Sequence, residues 1–164
     1  MNQICAAIYK EADDSACFYL WEMEFKRIHW GSADYESMKE LRIQTLLMPI
    51  GVPASYIEPE NEKEHILLGG FEGSACMACC ILTPKGNDTW QLRQMVVNPD
   101  LQGKGTGASL LQFAEQAGKN AGARCIMMHA REPVTGFYEK SGYQVTGPLF
   151  FEVGIPHYVM EKNI

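Results

Sequence analysis

The sequence lacks any apolar run approaching the ~20 residues that a membrane-spanning helix needs, so no membrane insertion is expected. It also lacks a basic cluster. Fourteen Lys and Arg against 20 Asp and Glu leave a net charge of −6, which offers nothing to the phosphate backbone that a general nucleic-acid binder must neutralise. The acidic balance suits an amine partner, although acidity also serves solubility alone. The first 21 residues show neither a basic start nor a continuous apolar core of the kind a secretory leader carries, and a cytoplasmic protein is expected.

Cysteine is not scarce, but its metal-binding pattern is missing. Six cysteines are present. Cys76-Met77-Ala78-Cys79-Cys80 holds a CxxC inside an apolar run that reads as a strand. Positions three apart on a regular strand face opposite sides, so Cys76 and Cys79 are expected not to share a ligand. No second CxxC or His pair completes a four-ligand set, which predicts buried, reduced thiols and no metal.

What the chain does have is the stretch from Leu92 to Leu111. An apolar strand ends at Asn98-Pro99, and Gly103, Gly105 and Gly107 then lead into an amphipathic helix predicted from about Thr106 to Gly122. Where a glycine-rich turn meets a helix N-terminus, backbone N–H groups without intrahelical acceptors converge and the helix dipole adds positive potential. This is a nest for an anion such as a phosphate, with Lys104 able to add a charge-assisted contact. The order Gly-Lys-Gly-Thr-Gly is neither the nucleoside-triphosphate loop nor the dinucleotide fingerprint, which require different spacings.

The rest of the chain reads as one domain. Its 164 residues, 46% apolar, suffice for one core. Met1 to Trp21 carries no clear period, so residues 1–22 are expected to be an N-terminal extension and residues 23–164 the domain. Phe25 to Trp30 is a strand. Met38, Leu41, Arg42, Thr45 and Leu46 recur at helical spacing behind a cap at Ser32 or Asp34. Pro53 to Lys63 is a loop. His65–Phe71 and Ala75–Leu82 form a hairpin around Glu72-Gly73-Ser74, and Thr89–Val97 is a central strand. Cys125–Ala130 is a buried parallel strand, joined to its predecessor by a right-handed helical crossover. A helix follows from Pro133, ended by Gly142. Tyr143–Val145 and Tyr158–Met160 suggest a final antiparallel pair. The order is that of a mixed α+β layer fold.

Gln102-Gly103-Lys104-Gly105-Thr106-Gly107 resembles motif A of the GNAT superfamily of acyl-CoA N-acyltransferases, and Phe137-Tyr138-Glu139-Lys140-Ser141-Gly142-Tyr143 is similar to that family's late motif. The resemblance covers about Phe25 to Met160. It implies a mostly antiparallel central sheet flanked by helices, with a βαβ crossover that binds acyl-CoA. It also implies acetyl transfer from acetyl-CoA, a co-substrate, to a small-molecule or peptide amine by direct attack in a ternary complex. A homodimer is compatible with it, and neither nucleic acid nor membrane is an expected partner. The pyrophosphate would lie on Gln102, Gly103, Lys104, Gly105, Thr106 and Gly107, and the pantetheine arm would pair with the backbone of Met95, Val96 and Val97. Tyr138 matches the position whose phenol hydrogen-bonds the CoA sulfur. Since a phenol titrates near ~10 and an alkyl thiol near ~8.5, shared hydrogen bonding is favoured over full proton transfer.

A general base is not assigned. Many relatives place a glutamate on the central strand, but Thr89–Val97 contains no Asp or Glu. Glu72, Glu132 and His129 are candidates elsewhere, each read as solvated or structural. His157, after the Gly154-Ile155-Pro156 turn, is a substrate-binding candidate facing the acceptor cleft. The competing reading is a non-catalytic acyl-CoA-binding regulatory module, which the missing carboxylate favours and Tyr138 disfavours.

Overall fold

A computed structural model describes residues 23–164, so the expected extension over residues 1–22 lies outside the described residues. Eight strands are formed among the described residues: β1 (Glu24–Ile28), β2 (Ile66–Glu72), β3 (Ala75–Gly86), β4 (Thr89–Val97), β5 (Cys125–Arg131), β6 (Gln144–Val145), β7 (Phe150–Glu152) and β8 (Ile155–Asn163). They make one sheet in the order β1-β2-β3-β4-β5-β8-β6, with β7 also pairing β8. Every pairing is antiparallel except β4 with β5. Parallel neighbours need a crossover, and α2 (Thr106–Asn120) supplies it. The fold is thus the mixed, mostly antiparallel α+β sheet expected from the sequence, with β4 at its centre.

The period-two pattern splits each strand between two apolar layers. Ala78, Cys80 and Leu82 of β3 join Leu68, Leu92, Ile126 and Met128 beneath Leu110, Leu111 and Ala114 of α2. Cys79 and Ile81 turn the other way, to Val96, Leu67 and α1 (Ala33–Arg42), which contributes Tyr35, Met38 and Leu41. Ser32 caps α1, its Oγ accepting from the Tyr35 N–H at 3.2 Å. The same hydroxyl donates to the His29 carbonyl, so the first strand stops at Ile28 and His29-Trp30 belong to the turn. Beyond Arg42 the helix continues as one wider turn over Ile43–Leu47 and a tight turn to Ile50, closed by Gly51 at φ +70°.

Two sequence expectations change. Cys76 and Cys79 do not face opposite sides. Gly70 pairs with Ala78 and Phe71 with Cys76, so Met77 is an extra bulge residue, and the slip returns Cys76 to the layer that holds Cys79. The closing strands also exceed a simple pair, because β8 bonds β5 along one edge and β6 and β7 along the other.

Candidate active site

The site begins where β4 and β5 part. Their parallel ladder runs only from Thr89 opposite Cys125 to Leu92 opposite Met128. Past it, β4 carries a bulge: Ile81 of β3 faces Arg93 and Cys79 faces Val96, while Gln94 takes φ +47°, uncommon for a residue with a side chain. A cavity of about 700 Å³ opens at this divergence, lined by β4 from Gln91 to Val97 and by β5 from Met128 to Arg131. Beyond Leu92 the β5-side edge of β4 has no strand partner among the described residues, so main-chain groups of Met95 and Val97 lie where an extended ligand could add to the sheet.

A buried polar network holds the bulge in place. Arg42, fully buried, donates from Nε to Gln94 Oε1 at 2.6 Å. Its other nitrogens form a fork on Glu62, Nη2 to Oε1 at 2.6 Å and Nη1 to Oε2 at 3.0 Å. The Tyr35 hydroxyl donates to the same carboxylate at 2.8 Å.

At the carboxyl end of β4 the chain makes a tight turn over Pro99–Leu101, with Asn98 Oδ1 accepting from the Asp100 N–H. Gln102 closes the turn, its side-chain amide donating to the Val97 carbonyl at 3.1 Å. Gly103 at φ +75° and Gly105 at φ +88° occupy the left-handed region that glycine adopts freely. Gly105 is the N-cap of α2, and no side chain caps that helix. The Gln102 N–H is bonded to the Pro99 carbonyl and that of Lys104 to Leu101. Among the described residues, the N–H groups of Gly103, Gly105, Thr106 and Gly107 have no backbone partner. These donors lie at the positive end of a 15-residue helix. At Gly107 a Cβ would sit 3.4 Å from the Phe137 ring, so α2 packs against α3 (Thr135–Lys140) at this point.

Tyr138 projects from α3 with only 9% of its surface exposed, edge-on to Phe137 and Tyr143. Its hydroxyl donates toward the Met95 sulfur at 3.7 Å. Burial pushes this phenol well above the ordinary tyrosine range, so it stays protonated and acts as a donor.

The opposite wall comes from two other parts of the chain. The turns after α1 contribute Leu46, Ile50, Val52 and Tyr56, and the β5, β7 and β8 strands contribute His129, Arg131, Glu152 and His157. His129 Nδ1 lies 2.8 Å from Glu152 Oε2. His157 is a strand residue, 7% exposed, with Nδ1 2.8 Å from the Ile155 carbonyl. Both acceptors lack hydrogens, so Nδ1 is the donor in each contact.

Of the residues singled out from sequence, Met95, Val96, Val97, Gln102, Gly103, Gly105, Gly107, Tyr138, His129 and His157 line one cavity, whereas Lys104, Thr106, Glu72 and Glu132 do not. The sequence reading missed Gln94, Glu152 and the Arg42–Glu62 pair. Arg42 carried a signal, since it is a cation on the apolar face of an amphipathic helix. Glu152 carried none, because it meets His129 only through strand pairing.

Among the known proteins that this chain resembles are the following three. YyaT of Bacillus subtilis is 32% identical over 76 residues, which are 46% of this chain and 51% of that protein, so the match spans about half of that relative. An acyl-CoA N-acyltransferase from Pseudomonas aeruginosa superposes with a TM-score of 0.73 over 86% of this chain and 99% of that one, at 15% identity. An aminoglycoside 6'-N-acetyltransferase complexed with coenzyme A superposes at 0.74 over 86% and 97%, at 16% identity. The acetyltransferase (GNAT) domain model matches residues 46–164, which include the bulged central strand, the uncapped helix and the Tyr138 segment, and the chain belongs to that family.

Proposed function

We propose that this protein transfers an acetyl group from acetyl-CoA to an amine by direct attack, with both substrates bound in one cavity. The observation that carries the reading is the continuity of that cavity. It runs from the open N–H groups of the glycine turn, past the free edge of β4 and the Tyr138 hydroxyl, to a polar wall on β5, β7 and β8. A volume of about 700 Å³ lies within the ~300–1,000 Å³ typical of small-molecule sites. Coenzyme A in the aminoglycoside acetyltransferase of the same fold supports the choice of donor.

Each part of this chain then has a task. The main-chain N–H groups of Gly103, Gly105 and Gly107 donate to the pyrophosphate, and Gln102 braces the turn that presents them. The edges of Met95 and Val97 pair with the amides of the pantetheine arm. The Tyr138 phenol turns from the Met95 sulfur to the leaving sulfur and stabilises it by hydrogen bonding. Cys79 and Cys80 are poor nucleophiles, because burial raises both thiols above their ordinary range, which weighs against an acyl-cysteine route.

A β4 that presents Arg93 and Gln94 but no carboxylate favours one alternative, a non-catalytic acyl-CoA sensor. Incubation with acetyl-CoA and a broad amine panel, followed by chromatography for acetylated products, separates the two. Product supports the transferase. Tight acetyl-CoA binding with no product from any amine would favour the sensor.

A further inference from the structure

The missing carboxylate on β4 leaves open which group takes the acceptor's proton. We infer that His129, oriented by Glu152, is the general base, and that it serves an amine carried on an apolar body. The inference rests on the acetyltransferase reading above and adds to it a base and a substrate class.

His129 and Glu152 are 23 residues apart in sequence and meet because β8 pairs with β5 on one edge and β7 on the other. The 2.8 Å contact to a carboxylate places a proton on Nδ1, so in the neutral ring Nε2 is the proton acceptor. The ring is held edge-on to Phe150 at 4.9 Å. About a third of the His129 side chain remains exposed, which gives the captured proton a way out to water. Once protonated, the ring lies against the Glu152 carboxylate. His157 is the weaker candidate, because its Nδ1 bonds a neutral carbonyl and no carboxylate orients its ring.

The turns after α1 line the same cavity with apolar side chains, Leu46, Ile50, Val52 and Tyr56. Among the described residues, the charged groups along the cavity are Arg93 and Arg131 against a single carboxylate, Glu152. This arrangement repels a polycation and accepts one ammonium on an apolar scaffold.

The ammonium loses one proton to His129 Nε2, which passes it to water. The freed nitrogen pair bonds to the thioester carbon and the carbon–sulfur bond breaks. The sulfur leaves with that electron pair, accepts the Tyr138 hydrogen bond and gains the second amine proton through solvent. One proton is released for each amide formed.

The test uses two acceptors of similar shape: phenethylamine, an ammonium at neutral pH, and phenylhydrazine, which is already neutral there. Acetylated product is measured after subtracting the uncatalysed rate, and acetyl-CoA affinity is measured in parallel. His129→Gln should lower kcat for phenethylamine by about 10²–10⁴-fold, leave the phenylhydrazine rate within about threefold and leave acetyl-CoA affinity unchanged. Glu152→Gln should shift the two acceptors in the same sense by a smaller factor. Equal losses for both acceptors, or no loss for phenethylamine, would overturn the base. Wild-type protein that binds acetyl-CoA but acetylates neither compound overturns the acceptor class. Failure to bind acetyl-CoA at all sinks the acetyltransferase reading instead.

Discussion

Replacing Glu62 by Leu removes every carboxylate contact of a fully buried guanidinium. In the folded protein Arg42 is fully buried and Glu62 is 6% exposed, and a two-point fork joins them. Without Glu62, only the Gln94 amide oxygen remains on the Arg42 guanidinium, and the Tyr35 hydroxyl loses its acceptor. Leaving one member of such a pair uncompensated costs about 3–5 kcal/mol, whereas replacing both by apolar groups is often near neutral. Against a total stability of about 5–15 kcal/mol this is a large fraction. For a domain of this size each kcal/mol moves the midpoint by about 2–4 °C, so Tm should fall by roughly 10 °C. Urea unfolding followed by tryptophan fluorescence reads the loss at unchanged slope. The double variant Arg42→Met with Glu62→Leu should recover most of it. A Glu62→Leu loss below about 1 kcal/mol, the range of surface pairs, would show that the charge is not sequestered and would refute the reasoning.

Other outcomes follow from the same structure. Gly105→Glu should weaken acetyl-CoA binding about 100-fold, or about 2.7 kcal/mol, because the position needs φ +88° and the new carboxylate opposes the pyrophosphate. Equal affinity by calorimetry would place the anion elsewhere. Tyr138→Phe should lower kcat about 10- to 100-fold, since a hydrogen bond to a charged group contributes about 1.5–3 kcal/mol and each 1.36 kcal/mol is tenfold in rate. KM for acetyl-CoA should barely change. Burial raises the Cys79 and Cys80 thiols, so their thiolate fraction at pH 8 is suppressed and rises only at higher pH. Mass spectrometry after iodoacetamide treatment should find both unmodified in native protein, and rapid alkylation would contradict their burial.

The crossover and the glycine turn were legible in the sequence because their signals are local. The break at Asn98-Pro99, the three glycines and the apolar period of α2 all lie within 25 residues, and the structure places those elements within a residue or two of expectation. Features that depend on how distant strands register were not legible. The bulge at Met77 reversed the facing of Cys76, although the CxxC spacing had suggested opposite sides. The bulge at Gln94 depends on how β4 meets β3, which no local pattern announces. His129 was visible as a titratable residue in an apolar strand. Its partner Glu152 became visible only once β8 stood between β5 and β7. His157 was expected after a turn facing a cleft, and it lines the cavity as a buried strand residue rather than a loop residue.

The central claim is that the turn from Gly103 to Gly107 and the free edge of β4 hold an acyl-CoA. Titrating acetyl-CoA into the intact chain by isothermal calorimetry tests it most directly. The account predicts saturable binding of one acetyl-CoA per chain, competed by CoA and lost in Gly105→Glu. No heat from either acetyl-CoA or CoA with folded wild-type protein would contradict it.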